Sequence, residues 1–256
     1  MCLILFAHQT HPLFKLILAA NRDEYYSRPS VPPAFWEEAP SLLAGRDMIA
    51  GGTWLGITRN GRLGAITNYR DPSSFKKNAP SRGMLVSRFL LGHKSPLEYL
   101  EKVRLRAHEY NGFNLILGEK HTFYWYSNRS GTILNLSPGL YALSNHLLDT
   151  PWPKVTRGKE IMAQLLAKPE SPSPEALFRL LGDRTVPADE MLPATGVGIE
   201  WERVLSSLFI SSPTYGTRSS TLLFIDRNDR VTFMDRAFDS NPDQMRPAHF
   251  EFNLET

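Results

Sequence analysis

The order and type of the predicted elements indicate an α+β protein built on antiparallel sheets. Strands, helices, strands, helices and strands follow one another, without the regular strand–helix alternation that is typical of parallel sheets. The first two strands, CLILFA (2–7) and KLILAA (15–20), are continuous apolar runs joined by HQTHP. Such runs are typical of strands that are covered on both faces, so we expect a sheet that lies between two other layers.

In the first half of the chain, turn residues and serine caps separate the predicted elements. Arg-Asn-Gly joins two strands as a hairpin turn, and Ser81 and Ser95 are the predicted N-caps of two helices. The Pro-rich stretch 25–50 is interpreted as irregular. These signals predict strands over 53–58 and 62–67 and helices over 81–92 and 95–107.

The second half continues with strands, then helices, then strands again. The stretch 184–200 is interpreted as a loop, and 201–210 is expected to begin as a helix and to end as a strand. The other predicted elements are strands 113–119, 122–127, 131–136 and 140–145, two helices within 153–182, and strands 220–226, 231–238 and 249–254. The chain shows no internal repeat and no clear linker, so we interpret 1–256 as a single domain.

Composition argues against several classes of protein. A single cysteine excludes an internal disulfide and a Cys-rich metal site. The 29 basic and 26 acidic side chains give a net charge of only +3, and no dense Lys/Arg run indicates a nucleic-acid partner. No apolar run is long enough to cross a bilayer and no secretory signal is recognisable, so we expect a cytoplasmic protein without a transmembrane segment.

The only cysteine stands at position 2, where removal of Met1 would make it the N-terminal residue. An N-terminal cysteine carries a thiol and an α-amine, and the pKa of an α-amine, ~7.7–8.0, allows it to act as the base. The alternative is a buried apolar cysteine at the start of a strand, without a chemical role. Position alone leaves both interpretations open.

Polar side chains stand at the ends of several predicted strands. They are Asn21, Arg22, Asp23, Glu24, Asn68, Asn145 and Arg218. A side-chain amide can donate a hydrogen bond to a developing oxyanion, and an arginine can hold a carboxylate or adjust a thiol. Taken singly, each is also explained as a turn residue, a cap or part of a surface ion pair.

Taken together, the motifs resemble the NRDE family, which is named for Asn-Arg-Asp-Glu and includes the transport and Golgi organisation protein 2 homologs. The matching motifs run in order along the whole chain: MC, LILAANRDEYYSRP, GGTWLG, TNYRDP, NGFNL, LSNHLLDTPWPK and YGTRSSTLLFID. The family is similar to the N-terminal-nucleophile hydrolases, particularly the cholylglycine hydrolase and penicillin V acylase branch. This resemblance implies a four-layer αββα sandwich of two antiparallel sheets.

The resemblance to the hydrolase branch also implies a set of catalytic residues. Cys2 matches the nucleophile, and Asn145 and Asn68 match asparagines on the side of the oxyanion. Arg218 resembles the arginine that precedes the late strand.

The Asn-Arg-Asp-Glu run departs from the Arg-Asn-x-Asp pattern of the hydrolase branch. An offset of one residue at a strand end changes which face a side chain points to. Either Asn21 or Arg22 would therefore lie beside the thiol, and either Asp23 or Glu24 would hold the α-amine. We favour Arg22 and Asp23.

Two functions follow from the resemblance. The first is a cysteine amidohydrolase that acts on a linear non-peptide C–N bond of a small-molecule amide and requires no cofactor. The alternative is a protein that binds and carries haem, a lipid or acyl-CoA on the same scaffold. Thiolate and imidazole both bind haem iron, so Cys2 or one of His8, His11 and His146 would be an axial ligand.

Overall fold

The computed structural model describes residues 2–119, 122–238 and 245–255, and for Cys2 it describes the backbone alone. These residues form thirteen strands and five α-helices. In chain order they are β1 (Cys2–His8), β2 (Phe14–Tyr25), β3 (Ser30–Trp36), β4 (Ala39–Asp47), β5 (Leu55–Thr58), β6 (Arg62–Asn68), α1 (Gly83–Leu90), α2 (Pro96–Arg106), β7 (Phe113–Glu119), β8 (Thr122–Ser127), β9 (Ile133–Asn135), β10 (Gly139–Leu143), α3 (Pro153–Leu166), α4 (Pro174–Leu181), α5 (Ile199–Val204), β11 (Tyr215–Asp226), β12 (Arg230–Phe238) and β13 (Met245–Asn253).

The chain divides into two compact units, and each contains one sheet with helices packed on it. The first unit comprises Met1–Ser27, Pro138–Ser144 and Leu148–Phe252. The second unit comprises Arg28–Ser137, Asn145–Leu147 and Asn253–Thr256. The interpretation of 1–256 as a single domain stays a prediction.

The first unit contains a six-stranded sheet in the order β10–β1–β2–β11–β12–β13, and the predicted hairpin of β1 and β2 is confirmed. Residues on both faces of β2 are buried, as its continuous apolar run predicts. Helices α3 and α4 pack on the face that carries Ile17 and Ala19, which we call the helix-covered face. The face that carries Leu18 and Ala20 is called the opposite face, because successive side chains of a strand alternate.

The second unit contains a seven-stranded sheet in which β3 to β9 follow one another in chain order, every pair antiparallel. Helix α1 packs on β5 and β6, and α2 packs on β7 and β8. The core between helices and sheet includes Phe89, Phe113 and Tyr126, all fully buried. The predicted hairpin β5–β6 is confirmed, and Gly61 in its turn has a φ of 80°, which glycine adopts readily.

The Pro-rich stretch 25–50 is not irregular, and the prediction for it is wrong. It forms β3 and β4, which pair with each other. Pro32 and Pro33 lie inside β3, where the register shifts between Val31 and Ala34. Strand β3 is at the edge of its sheet, and prolines are tolerated there because one side of an edge strand has no neighbour to bond.

Two expectations about the ends of helices are also wrong. Helix α1 begins at Gly83 with Arg82 as its N-cap and no side-chain capping bond, so Ser81 does not cap it. Helix α5 ends at Val204, and no strand forms over 205–210. Instead, the Ile210 carbonyl accepts a hydrogen bond from the Thr217 backbone N–H, and the Ile210 N–H donates one to the Thr217 hydroxyl.

The predicted cap of α2 is confirmed and allows a test. The Ser95 hydroxyl accepts a hydrogen bond from the Glu98 backbone at 3.3 Å, and the Glu98 carboxylate accepts one from the Ser95 backbone. We expect Ser95→Ala to lower the free energy of unfolding by about 1 kcal/mol, as capping serines typically do. Ser81→Ala is the matched control and should change it by less than about 0.5 kcal/mol. Urea denaturation of both variants measures the difference, and equal effects would contradict the assignment of the cap.

Among the residues that the structure describes, no helix is long and apolar enough to cross a membrane.

Candidate functional site

The candidate nucleophile stands at the start of β1, beside the end of β2. The antiparallel register pairs Cys2 with Arg22, and Arg22 with Ser219 of β11. Arg22 and Ser219 are both buried, at 6% and 4% exposed. The thiol of Cys2, and Met1 before it, lie outside the described part of the structure, so the role of Cys2 as nucleophile stays a prediction.

The Asn-Arg-Asp-Glu run at the end of β2 is divided between the two faces of the sheet. Alternation along the strand puts Asn21 and Asp23 on the helix-covered face, and Arg22 and Glu24 on the opposite face. Arg22 is therefore the member of this run that is in register with Cys2. This agrees with the choice of Arg22 over Asn21, although the catalytic roles of Arg22 and Asp23 stay predictions.

The side-chain amide of Asn21 holds neighbouring segments of the first unit together. Its Nδ2 donates to the carbonyl oxygens of Leu181 and Leu208, both at 2.8 Å, and its Oδ1 accepts from the Ser220 hydroxyl at 2.6 Å. The side chain is 1% exposed. Both polar atoms of the amide are used, so Asn21 joins β2 to the end of α4 and to the segment that follows α5.

Asp23 is buried among polar groups, two of which sequence analysis missed. Its Oδ1 accepts from the Thr217 hydroxyl at 2.7 Å. Burial raises the pKa of the Asp23 carboxyl above its ordinary value, and the Lys154 ammonium, the bond from Thr217 and the Arg22 guanidinium offset this only in part. Lys154 is 2% exposed in the first turn of α3. The motif LSNHLLDTPWPK ends on this lysine and was the only sequence signal for it.

Arg218 lies at an irregularity of β11. The register shifts between Thr217 and Ser219, so Arg218 has no paired residue on β2. Its guanidinium donates to the backbone carbonyls of Tyr25, Tyr26 and Phe238, at 3.0 to 3.3 Å. These bonds join the ends of β2 and β12, and the predicted role of Arg218 near the thiol stays a prediction.

Asp235 is a buried carboxyl that sequence analysis also missed. Asp235 of β12 pairs with Thr221 of β11, and Thr221 pairs with Ala20 of β2. Asp235 therefore lies on the opposite face of the sheet, as Arg22 does. Asp235 is 1% exposed, and its Oδ1 accepts from the Thr221 hydroxyl at 2.6 Å, whereas its Oδ2 has no hydrogen-bond partner among the described residues. Burial raises the pKa of Asp235 to about 7, against the lowering effects of Thr221 and Arg22.

In the second unit, the two predicted asparagines are brought together. The Nδ2 of Asn145 donates to the Asn68 carbonyl at 2.9 Å. Asn114, a third asparagine in the motif NGFNL, donates to the Thr67 hydroxyl at 3.2 Å and to the His146 carbonyl at 2.8 Å. The Asn114 side chain is fully buried, and its Oδ1 has no partner in the described part of the chain. The oxyanion roles of Asn68 and Asn145 stay predictions.

The three histidines considered as haem ligands are wholly or partly buried, and their role as axial ligands stays a prediction. His8 and His11 are buried in the first unit, at 3% and 2% exposed. His146 lies against the Tyr69 ring at 4.8 Å, and burial lowers its pKa, which favours the neutral imidazole. Among the described residues, no group of three or more His, Cys, Asp or Glu side chains could hold a metal ion.

The fold is similar to that of two hydrolases of known structure. The C2A mutant of conjugated bile acid hydrolase from Clostridium perfringens matches with a TM-score of 0.55 and 10% identity, over 99% of this chain and 98% of that one. The Caenorhabditis elegans ortholog of N-acylethanolamine-hydrolyzing acid amidase matches with a TM-score of 0.51 and 9% identity, over 87% and 92%. The likeness confirms the predicted fold class, the α+β fold of the N-terminal-nucleophile hydrolases with two antiparallel sheets.

Sequence comparison identifies the family. The family model described as Transport and Golgi organisation 2 matches residues 1–240. The Transport and Golgi organization 2 homolog of Mus musculus is 37% identical over 277 residues, and all of both chains is covered. The Homo sapiens homolog is 36% identical over the same length, and the Drosophila melanogaster protein is 28% identical over 92% of this chain and 91% of its own. The chain therefore belongs to the transport and Golgi organisation 2 family, as its motifs predict.

Proposed function

We propose that this chain is an amidohydrolase that uses Cys2 as an N-terminal nucleophile and acts on a linear non-peptide C–N bond. The observation that supports it most is the register at the start of β1, where Cys2 is paired with the buried Arg22 next to the buried Asp23. The fold adds support, since one protein of similar structure is named a conjugated bile acid hydrolase and another an ortholog of N-acylethanolamine-hydrolyzing acid amidase.

The reaction uses the thiol, the α-amine and one water molecule. The α-amine of Cys2 takes the thiol proton, and the sulfur attacks the amide carbonyl carbon. The C–N bond then breaks, the amine leaves with that proton, and a thioester remains on Cys2. Water hydrolyses the thioester, which releases the carboxylic acid and restores the thiol.

The charges of Arg22 and Asp23 suit this proton transfer. A buried guanidinium favours the thiolate over the thiol, because an opposite charge nearby stabilises the charged form. Burial favours the protonated form of Asp23, but an α-ammonium that forms beside it favours the carboxylate, so these two charges stabilise each other when the thiol proton is taken up. Both effects promote the ion pair of thiolate and ammonium from which the attack proceeds.

Two measurements test the proposal: the mass of the mature protein, which shows whether Met1 is removed, and the activity of a variant without the thiol. We expect intact-mass spectrometry to show a protein that begins at Cys2. This protein should hydrolyse members of a panel of N-acyl amides that includes N-acylethanolamines and conjugated bile acids. Cys2→Ala should lower the rate by about 10³-fold or more, since it removes the nucleophile. Iodoacetamide should label the wild type, where any labelled cysteine is Cys2 because the chain has one cysteine.

Three results would overturn the proposal. The first is a retained Met1, which blocks the α-amine. The second is turnover that Cys2→Ala shares with the wild type. The third is a mature protein that turns over no amide of the panel and whose thiol reacts no faster than free cysteine.

Binding of haem, a lipid or acyl-CoA stays a prediction of the family resemblance. No contact of the described residues favours it over hydrolysis. A haem titration that follows the Soret band checks it, and the absence of a shift at micromolar protein would contradict haem binding.

A further inference from the structure

Asn114 is a polar residue inside an otherwise apolar part of β7. It stands between Phe113 and Leu115, and all three side chains are fully buried. Asparagine is uncommon in strands, and a buried amide costs free energy unless it is hydrogen-bonded. An apolar side chain would suit this position better, so the hydrogen bonds of the amide indicate what Asn114 does.

The Asn114 amide is bound on two sides. Its Nδ2 donates to the Thr67 hydroxyl at 3.2 Å, across the β6–β7 pair in which these two residues are in register. The same nitrogen donates to the His146 carbonyl at 2.8 Å. A carbonyl oxygen only accepts, so the nitrogen of the amide, and not its oxygen, must face His146. The amide therefore cannot rotate without losing a buried hydrogen bond.

The segment 145–147 forms no helix or strand of its own. The end of β6 holds it at one residue: the Arg70 N–H donates to the Asn145 carbonyl at 2.7 Å, and the Nδ2 of Asn145 donates to the Asn68 carbonyl at 2.9 Å. The bond from Asn114 holds the next residue of the segment, from the neighbouring strand. Together, these bonds fix the position of the Asn145 side chain within the second unit.

We propose that Asn114 is a positioning residue for the proposed hydrolase: its amide holds the His146 carbonyl and thereby fixes Asn145, the predicted donor to the oxyanion. The inference rests on the function proposed above and on the role predicted for Asn145. Oxyanion donors are effective because they are already in place when the charge develops, within about 0.5 Å of the productive geometry. Asn114 itself makes no contact with the substrate and exchanges no proton.

Replacing Asn114 with leucine should slow the chemical step. Leucine has the same number of side-chain heavy atoms but no donor, so the His146 carbonyl loses its buried partner. We expect kcat for an N-acyl amide to fall about tenfold or more, less than the 10²–10³-fold typical of a donor that is removed outright. KM should change by less than about twofold, because the interaction serves the transition state. Alkylation of Cys2 by iodoacetamide forms no oxyanion, so its rate should stay within about twofold of the wild type.

Hydrogen exchange tests the position of the segment without any turnover. The Arg70 N–H is bonded to the Asn145 carbonyl, so its exchange reports whether the segment stays in place. In Asn114→Leu we expect the Arg70 amide to exchange about tenfold faster, measured by NMR.

Ser127→Ala is the matched control for a general loss of stability. Ser127 is in register with Asn114 on the other side of β7 and is also fully buried. Its hydroxyl donates to the Phe113 carbonyl at 3.2 Å and not to the segment 145–147. Ser127→Ala should therefore leave kcat and the exchange of the Arg70 amide close to the wild type.

Two variants of Thr67 keep the proposal testable if Asn114→Leu does not fold. Thr67→Val removes the hydroxyl that holds the other side of the Asn114 amide, and we expect kcat to fall about threefold. Thr67→Ser keeps a hydroxyl at the same position and should restore kcat to the wild-type value. Equal rates in Thr67→Val and Thr67→Ser would contradict the proposal.

Two further results would overturn the role of Asn114. One is exchange of the Arg70 amide that is no faster in folded Asn114→Leu than in Ser127→Ala. The other is faster exchange with an unchanged kcat, which would show that the held segment takes no part in the reaction. In both cases turnover that requires Cys2 leaves the hydrolase standing. A wild type that turns over no amide removes the hydrolase itself, and the exchange of the Arg70 amide then still decides whether Asn114 holds the segment.

Discussion

Replacing Asn21 with leucine is expected to lower the free energy of unfolding by about 4 kcal/mol. Leucine has the same number of side-chain heavy atoms in the same branched arrangement and is somewhat bulkier, so no cavity forms and the lost hydrogen bonds dominate. The carbonyls of Leu181 and Leu208 and the Ser220 hydroxyl lose their buried partner. Each buried polar group left without a partner costs about 1–3 kcal/mol. Urea denaturation at pH 7 measures the change.

The same variant distinguishes a structural asparagine from a catalytic one. Asn21 faces the helix-covered side, whereas Arg22 is in register with Cys2, so folded Asn21→Leu should keep the wild-type pH profile of Cys2 alkylation. Asn78→Leu, at an exposed loop position, is the control and should change stability by less than about 0.5 kcal/mol. A loss below about 1 kcal/mol in Asn21→Leu would show that these three bonds contribute little.

Asp235→Asn is expected to stabilise the protein relative to the wild type. The gain in the free energy of unfolding should grow from acid to neutral pH and stay constant above pH 7. Burial raises the pKa of Asp235 from 3.8 to about 7. Between these two values the unfolded chain has lost the proton that the folded chain retains, so stability falls as the pH rises. Each pH unit in this range lowers the free energy of unfolding by about 1.4 kcal/mol, roughly 4 kcal/mol in total. Above pH 7 the penalty is constant.

Asparagine removes this penalty without losing the local bond, because its Oδ1 can still accept from Thr221. The measurement is the urea unfolding free energy of wild type and Asp235→Asn at pH 5, 6, 7 and 8. The difference between the two should increase up to pH 7 and then level off. Glu190→Gln, at an exposed position, should follow the wild type throughout. A difference that does not change with pH would contradict the raised pKa.

Local sequence patterns predicted most of the strands and helices, and they indicated the candidate residues at the start of β1 and the end of β2. The hairpin of β1 and β2 follows from two continuous apolar runs around a turn, and β5–β6 from Arg-Asn-Gly. The cap at Ser95 follows from serine before proline with glutamate three residues on. In each case residues close in sequence determine the conformation, so the pattern carries the information.

Tertiary context overrode local signals in the other cases. Pro32 and Pro33 indicate irregular backbone, yet the edge position of β3 accommodates them. Ser81 has the chemistry of a cap, yet α1 starts two residues later. Lys154 and Asp235 carry no local sign of burial, since a lysine in a first turn and an aspartate in a strand are mostly exposed.

The sequence by itself determined the family, the hairpins β1–β2 and β5–β6 and the residues in the Asn-Arg-Asp-Glu run. Only the tertiary structure decided which of these residues share a face and which charges are buried together. The physical reason is that pairing depends on register and burial. A shift of one residue in register would exchange Asn21 with Arg22 on the two faces of the sheet. Asp235 is likewise an ordinary strand residue in the sequence, and only its burial in the sheet raises the pKa of its carboxyl.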